Sequence, residues 1–230
     1  MQKYKFTGET KEVYGCTLHQ IVCVTAFASV AAGEVGGYIE KEVNLSQDGN
    51  AWVSGNAKVS GNAKVSGDAK VSGDAKVFGN AKVFGDAKVF GNAKVFGNAK
   101  VRGDAEVFGD AEVFGDAWVF GDAKVFGDAE VCGDAEVCGN AILRRGSTET
   151  ATDYIVIGPQ GSRRSFATLH LPSNTVCTGC FVGDLNEFKV AVSTSHNPNH
   201  CDDCKIFKQY QRVIQVFEFY AKDRQDKDVQ

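Results

Sequence analysis

The sequence predicts a mainly β protein built on a parallel β-solenoid, with a cap before it and a small domain after it. Two observations carry this. From Gly49 the chain repeats every six residues as Gly-[Asn/Asp]-Ala-x-Val-x. Sixteen glycines keep that register from Gly49 to Gly139, and fifteen valines keep theirs from Val53 to Val137, with Leu143 in the next slot. A six-residue period fits neither the helix period nor a heptad. It fits stacked coils in which each hexad makes one short strand and one corner. The 26 Gly among 230 residues are therefore punctuation of a regular fold and not a linker.

The alternation of a strand assigns each slot. Ala and Val, two apart, face inward and form the core. The residue between them, mostly Lys or Glu, faces out, and so does the Ser or Phe after Val. Asn or Asp is expected to take the positive φ of the corner, with Gly beside it to remove bulk. The unit resembles the hexapeptide-repeat left-handed β-helix. That resemblance implies a triangular coil of three hexads, so sixteen hexads give a little over five coils.

Three hexads per coil place every third hexad on one face. One face then carries Phe90, Phe108 and Phe126, a second Phe78, Phe96 and Phe114, and a third Phe84, Arg102 and Phe120. Outward aromatic ladders stabilise one another by stacking and leave apolar surface for a partner or a second copy. Cys132 and Cys138 occupy the same outward slot as small apolar substitutes. Charge is graded along the axis. Residues 49–100 hold eight Lys against three Asp, a balance of +5, and residues 101–141 hold two basic residues against six Asp and four Glu, a balance of −8. The ladder Lys58, Lys76, Lys94 reads either as a solvated surface or as a seat for a phosphate-rich ligand, and the corner Asp68, Asp86, Asp104, Asp122 as solvated carboxylates or a cation site.

The flanks divide the chain into an N-terminal cap (1–48), the hexads (49–143), a polar linker (144–153), a small α+β domain (154–222) and a polar tail (223–230). Open solenoid ends expose unpaired strand edges, which is why caps are expected. In the cap, residues 18–25 read as a strand buried on both faces. In the C-terminal domain, strands are expected at Tyr154–Ile157, Phe166–Leu171 and Asn174–Phe181, with a tight turn from Gly158 to Arg163. Asp184 is placed to cap a helix ending near Ser195, and a second helix runs from Asp202 to Ala221, with Ile206, Phe207, Tyr210, Val213, Ile214 and Phe217 at helical spacing.

The segments Tyr4–Thr10, Gly36-Gly37-Tyr38-Ile39-Glu40, Asn44-Leu45-Ser46 and Gly49–Val53 resemble those of phage and prophage hexapeptide-repeat proteins, a group labelled polymer-forming cytoskeletal. The C-terminal Ile157-Gly-x-x-Gly-Ser-Arg163 and Gly179-Cys-Phe-x-Gly183, with Glu187, Phe188 and His196, resemble a small module of bacterial and phage proteins. Bactofilins share the β-helix and polymerise through bare ends, whereas this chain carries additions at both ends.

Many hexapeptide-repeat proteins are acyltransferases with a His base on or near the coils. The four histidines here are 19, 170, 196 and 200, so the repeat has none, and a non-enzymatic role is expected. Cys177-x-x-Cys180 and Cys201-x-x-Cys204 have zinc-knuckle spacing, with His196 and His200 nearby as substitutes. Packed thiols explain the same pairs without a metal. Gly158–Arg164 offers backbone N–H groups, Ser162 and the guanidiniums of Arg163 and Arg164; with Thr168, Lys189 and His196 it forms either an anion nest or a plain hairpin turn.

The net charge of −4 argues against a nucleic-acid binder. No apolar run reaches membrane-spanning length and the N-terminus has no signal-peptide pattern, so a cytoplasmic protein with reduced thiols is expected. The leading expectation is an interaction scaffold that forms a homotrimer or homodimer, or takes a protein partner, through the Phe faces and the C-terminal module, with no required cofactor. The alternative is a module that sequesters a phosphorylated small molecule or signalling nucleotide.

Overall fold

The structure, a computed structural model, describes residues 2–13, 15–150, 152–160, 165–179, 181–196 and 201–228, without the side chains of 160, 201–204 and 225–228. The chain opens with a hairpin of β1 (Tyr4–Val13) and β2 (Cys16–Cys23), followed by β3 (Val35–Ile39). β3 lies antiparallel to β2 on one edge and parallel to the first coil on the other, so it converts a hairpin sheet into a solenoid ladder. Gly36 and Gly37 permit this join: a Cβ on either would lie 2.7 Å from a carbonyl of the first coil.

Each hexad then supplies one two-residue strand, from β4 (Trp52–Val53) to β19 (Ile142–Leu143). Each pairs in parallel with the strand eighteen residues on, as Lys58 with Lys76 and Val59 with Val77. Three ladders result, and the solenoid has about six coils. The ladder outlasts the hexads at both ends. Ile39 and Leu45 add rungs below Val59 and Val65, and β20 (Ser147–Thr148), within the polar stretch 144–153, pairs with Glu130–Val131. A rung needs only a short extended segment at the right height, so it forms without the Gly-Asn/Asp corner.

The core is a single column of hexad Ala and Val, each at most 1% exposed. The corner corrects one expectation. The positive φ falls on the glycines, from 62° to 72° over Gly49–Gly139, and on none of the hexad Asn or Asp residues. Glycine is also required by stacking: a Cβ on Gly97 would lie 2.9 Å from the backbone N of Gly115 in the next coil. The Asn and Asp side chains instead bond along the axis. Asn62, Asn80 and Asn98 each donate from Nδ2 to the residue one coil on, at 3.1, 3.0 and 3.0 Å, ending on Asp116.

A second correction concerns β2, which is buried on one face only. Leu18, Ile21 and Cys23 are buried while Val24 is 39% exposed. A register shift between Gln20 and Val22 breaks the two-residue alternation and brings Leu18 and Ile21 to the same side.

The C-terminal domain is an antiparallel sheet of β21 (Tyr154–Gln160), β22 (Ser165–His170), β23 (Thr175–Thr178) and β24 (Phe181–Asp184), with α1 (Leu185–Ser195) and α2 (Cys201–Asp228). The strand expected at 174–181 is two strands, separated by a turn at Gly179 with φ +55°. Asp184 caps α1 as expected: its carboxylate accepts from the Glu187 N–H and the Glu187 carboxylate accepts from its N–H, both at 2.8 Å. α2 continues past the apolar pattern to Asp228, through residues rich in helix-forming Lys, Gln and Arg.

This sheet is sandwiched. Ala167, Leu169 and Val176 pack with Phe188, Val192, Val213, Ile214 and Phe217 of the helices. Tyr154 and Val156 pack against the solenoid core. The domain thus sits on the last coil, with the helices on its far side. No helix among the described residues is long and apolar enough to cross a membrane.

Candidate functional site

The lateral faces carry the ladders expected from the register. Phe78, Phe96 and Phe114 stack with ring centroids 4.9 Å apart and planes within 5°. Phe90, Phe108 and Phe126 do the same at 4.8 Å and within 2°. The rung spacing of a parallel ladder enforces this, since identical side chains one coil apart have no other place to go. The third face differs. The Arg102 guanidinium lies 4.7 Å from the Phe120 ring centroid, and the Lys100 ammonium lies 4.0 Å from that of Trp118. Cation–π contact replaces stacking there. All eight ladder phenylalanines, Phe84 included, are half-buried. Each ring covers its neighbours and leaves an apolar stripe facing outward.

Charges alternate where the two halves meet. Glu106 accepts from Lys88 at 2.9 Å and pairs with Lys124 at 3.2 Å, and Lys94 pairs with Glu112 at 2.6 Å. The Lys88 hydrogen bond is the largest influence holding the Glu106 carboxyl below its ordinary value.

The ends are closed by groups of opposite hydrogen-bond sense. At corners and strand edges the bonds between coils run one way: the N–H of residue i donates to the carbonyl of residue i+17, as Lys58 to Ala75 at 2.9 Å and Asn62 to Gly79 at 2.7 Å. The first coil therefore presents carbonyls and needs donors. Lys3 Nζ donates to the carbonyls of Gly49 (3.3 Å) and Ala51 (3.0 Å), and Asn44 Nδ2 to those of Gly61 (3.1 Å) and Ala63 (2.8 Å). Burial lowers the pKa of the Lys3 ammonium, against the pull of Asp48. The last coil presents N–H groups and needs acceptors. Thr168 Oγ1 accepts from Ile142 N–H at 3.0 Å, and the Tyr154 hydroxyl accepts from Cys138 N–H at 3.1 Å while donating to the Glu136 carbonyl at 2.9 Å. Sequence reading missed Lys3, Asn44 and Tyr154 as cap residues. Their partners lie 16 to 48 positions away, and only the one-way bond direction reveals what each end requires.

The residues of the anion reading are only partly described. Ser162, Arg163 and Arg164 lie outside the described residues. Thr168 is fully buried on the solenoid side of β22, its hydroxyl taken up by the cap. Lys189 on α1 pairs with Glu218 on α2. His196, at the end of α1, stacks on Tyr210 at 5.4 Å and lines a cavity of about 480 Å³ on the helix side of the sheet. Phe181, Phe188, Ser165 and Thr178 share that cavity. Thr178 is 7% exposed and its Oγ1 has no hydrogen-bond partner among the described residues. Thr168 and His196 are thus on opposite faces of the sheet.

Of the zinc-knuckle set, Cys180 lies outside the described residues, as do the side chains of Cys201 and Cys204 and all of His200. Cys177 pairs across the sheet with Thr168 and so shares its solenoid-facing side, while α2 packs on the other. Burial pushes its thiol up to about 11, with Arg144 and Arg145 pulling it down. Among the described residues no group of three or more His, Cys, Asp or Glu is arranged to hold a metal ion.

No protein-family model matches this chain, and no curated protein sequence matches it.

Proposed function

We propose that the protein is a non-enzymatic interaction scaffold: a rigid, end-capped β-solenoid that associates through its lateral phenylalanine faces. One observation carries this reading, the two ladders of three stacked rings on adjacent faces of a column that carries a cap at each end. Capped ends leave the sides for assembly. Stacked, half-buried rings offer a flat apolar stripe that needs no rearrangement to bind, and preorganisation of this kind lowers the entropic cost of association. A closed dimer or trimer follows from faces of this geometry. The resemblance to phage and prophage solenoid proteins is in keeping with a structural role. In size-exclusion chromatography with light scattering, the Phe96→Ser/Phe108→Ser double variant is expected to shift toward monomer. The reading fails if wild type is monomeric at every concentration and retains no partner in pull-downs.

A second reading rests on the C-terminal cavity. Four aromatic rings and a buried, unpartnered Thr178 hydroxyl suit a planar ring with a hydrogen-bonding edge, as in a nucleotide, and the arginines at 163 and 164 follow β21 in sequence. A panel of nucleotides would raise the melting temperature of the full chain under this reading, and Arg163→Ala would abolish the shift. An Arg163→Ala chain that binds as wild type removes it.

A further inference from the structure

A second cavity lies at the other end of the molecule, between the β1–β2 hairpin and the first coils. Its volume is about 470 Å³, and its walls include Leu18, Phe78 and Cys16 together with Lys58, Lys76 and Glu40. The apolar side comes from the hairpin and from the lowest ring of the Phe78 ladder. The charged side comes from the lysine ladder of that face.

That ladder stacks three lysines before its first carboxylate, as the Lys64, Lys82, Lys100 ladder also stacks three, but only this one runs beneath the hairpin. Further along the axis Lys88 meets Glu106 and Lys94 meets Glu112, at 2.9 and 2.6 Å. Here Lys58 is followed by Lys76 and Lys76 by Lys94, so like charges face each other across the rungs. The hairpin adds Lys11, whose ammonium lies 4.3 Å from the Tyr38 ring. The Lys58 cation is disfavoured first by burial and next by Lys11, with Lys76 adding to it and only Asp74 acting against them. Among the described residues of the wall the carboxylate is Glu40, which is already engaged by the Gly61 N–H at 2.6 Å and by Lys41 at 3.0 Å. Lys58 itself donates to a neutral carbonyl, that of Asn56, at 2.9 Å.

We propose that this cleft is a binding site for a phosphate monoester with an apolar tail, the phosphate seated on Lys58 and Lys76 and the tail lying against Leu18 and Phe78. A doubly charged head suits several clustered ammonium groups better than a single carboxylate does. The tail finds apolar surface that is already shaped, which favours binding without rearrangement. The site is separate from the C-terminal cavity and does not depend on assembly through the upper rings of the ladders.

The test is calorimetric titration of the full chain with octyl phosphate, with octanoate, octyl glucoside and octyltrimethylammonium as tails of the same length and different charge. Iodoacetamide labelling of Cys16, read by peptide mass, runs in parallel, because the thiol stands in the wall. Octyl phosphate is expected to bind one per chain, roughly tenfold or more tighter than octanoate, and to slow Cys16 labelling. The Lys58→Gln/Lys76→Gln variant is expected to weaken it by roughly tenfold or more. Both lysines are partly exposed, so this variant should fold, and Cys16 protection in the wild type is a readout independent of it. The proposal is overturned if octyl glucoside or octanoate binds as well as octyl phosphate. It is equally overturned if the double variant binds unchanged, or if Cys16 labels at the same rate with and without octyl phosphate.

Discussion

Two corner residues in each hexad are small or polar, and only one carries the left-handed backbone. The alternation of the sequence fixes which residues face inward, because a strand has a period of two. It does not say which corner residue takes the positive φ, since Asn, Asp and Gly all tolerate that region. Interlocking coils decide for Gly, which has to meet both the dihedral and the close approach of the next coil. Substitution separates the two requirements. In Gly97→Ala the new methyl meets the Gly115 backbone at 2.9 Å and φ +69° is unfavourable, whereas in Gly139→Ala, at φ +62°, nothing lies within 4 Å. Urea denaturation should show Gly139→Ala losing about 1 kcal/mol and Gly97→Ala losing clearly more, about 2 kcal/mol or above.

Acid should act at two residues where the C-terminal sheet meets the last coil. Burial lowers the pKa of His170, which is 2% exposed, with the Ser147 carbonyl and Asp153 pulling it up. Its Nε2–H donates to that carbonyl at 3.1 Å. For Asp153 burial raises the pKa, but the Arg224 guanidinium at 2.7 Å and the N–H groups of Thr150 and Glu149 outweigh it and hold the carboxyl low. Both folded values are depressed, so the unfolded chain binds the extra proton first. The His170 contribution is complete above 6.5 and declines as pH falls toward its folded value, while the Asp153 contribution declines only below 3.8. Hydrogen exchange in residues 165–178 should accelerate between about pH 7 and pH 5 relative to the coils.

At the scale of elements, the hexad strands and the C-terminal helices were legible in the sequence, and the joins between elements were not. The helix pattern around Val213, Ile214 and Phe217 and the Asp184 cap are local signals. The split of the third C-terminal strand turns on one φ at Gly179, and the bulge in β2 on a register shift that composition does not encode. The caps were legible as a need and not as residues. Asn44→Leu tests the bond direction assigned to them, because it removes the Nδ2 donor to the Gly61 and Ala63 carbonyls and leaves both unpaired while the Lys3 bonds remain. A loss of about 2 kcal/mol is expected, with faster exchange confined to the first coils while those near Val113 keep their protection. Uniform acceleration along the solenoid would contradict a local capping role.

Across the whole molecule the one-way bonds and the charge gradient act together. The N–H groups of the corner and edge bonds point toward the C-terminal end, so their dipoles leave carbonyl character at the N-terminal end and N–H character at the other. The +5 half sits at the first end and the −8 half at the second, the same complementarity that stabilises helix termini. What the sequence left open at this scale was how the ends are finished, because that depends on residues brought together only by folding. With both ends capped, the association we propose uses the sides. Native mass spectrometry of the wild-type chain over a concentration series tests this most directly. The account predicts one discrete dimer or trimer that dissociates on dilution; a strictly monomeric chain, or an open-ended series of sizes such as end-to-end stacking would give, would contradict it.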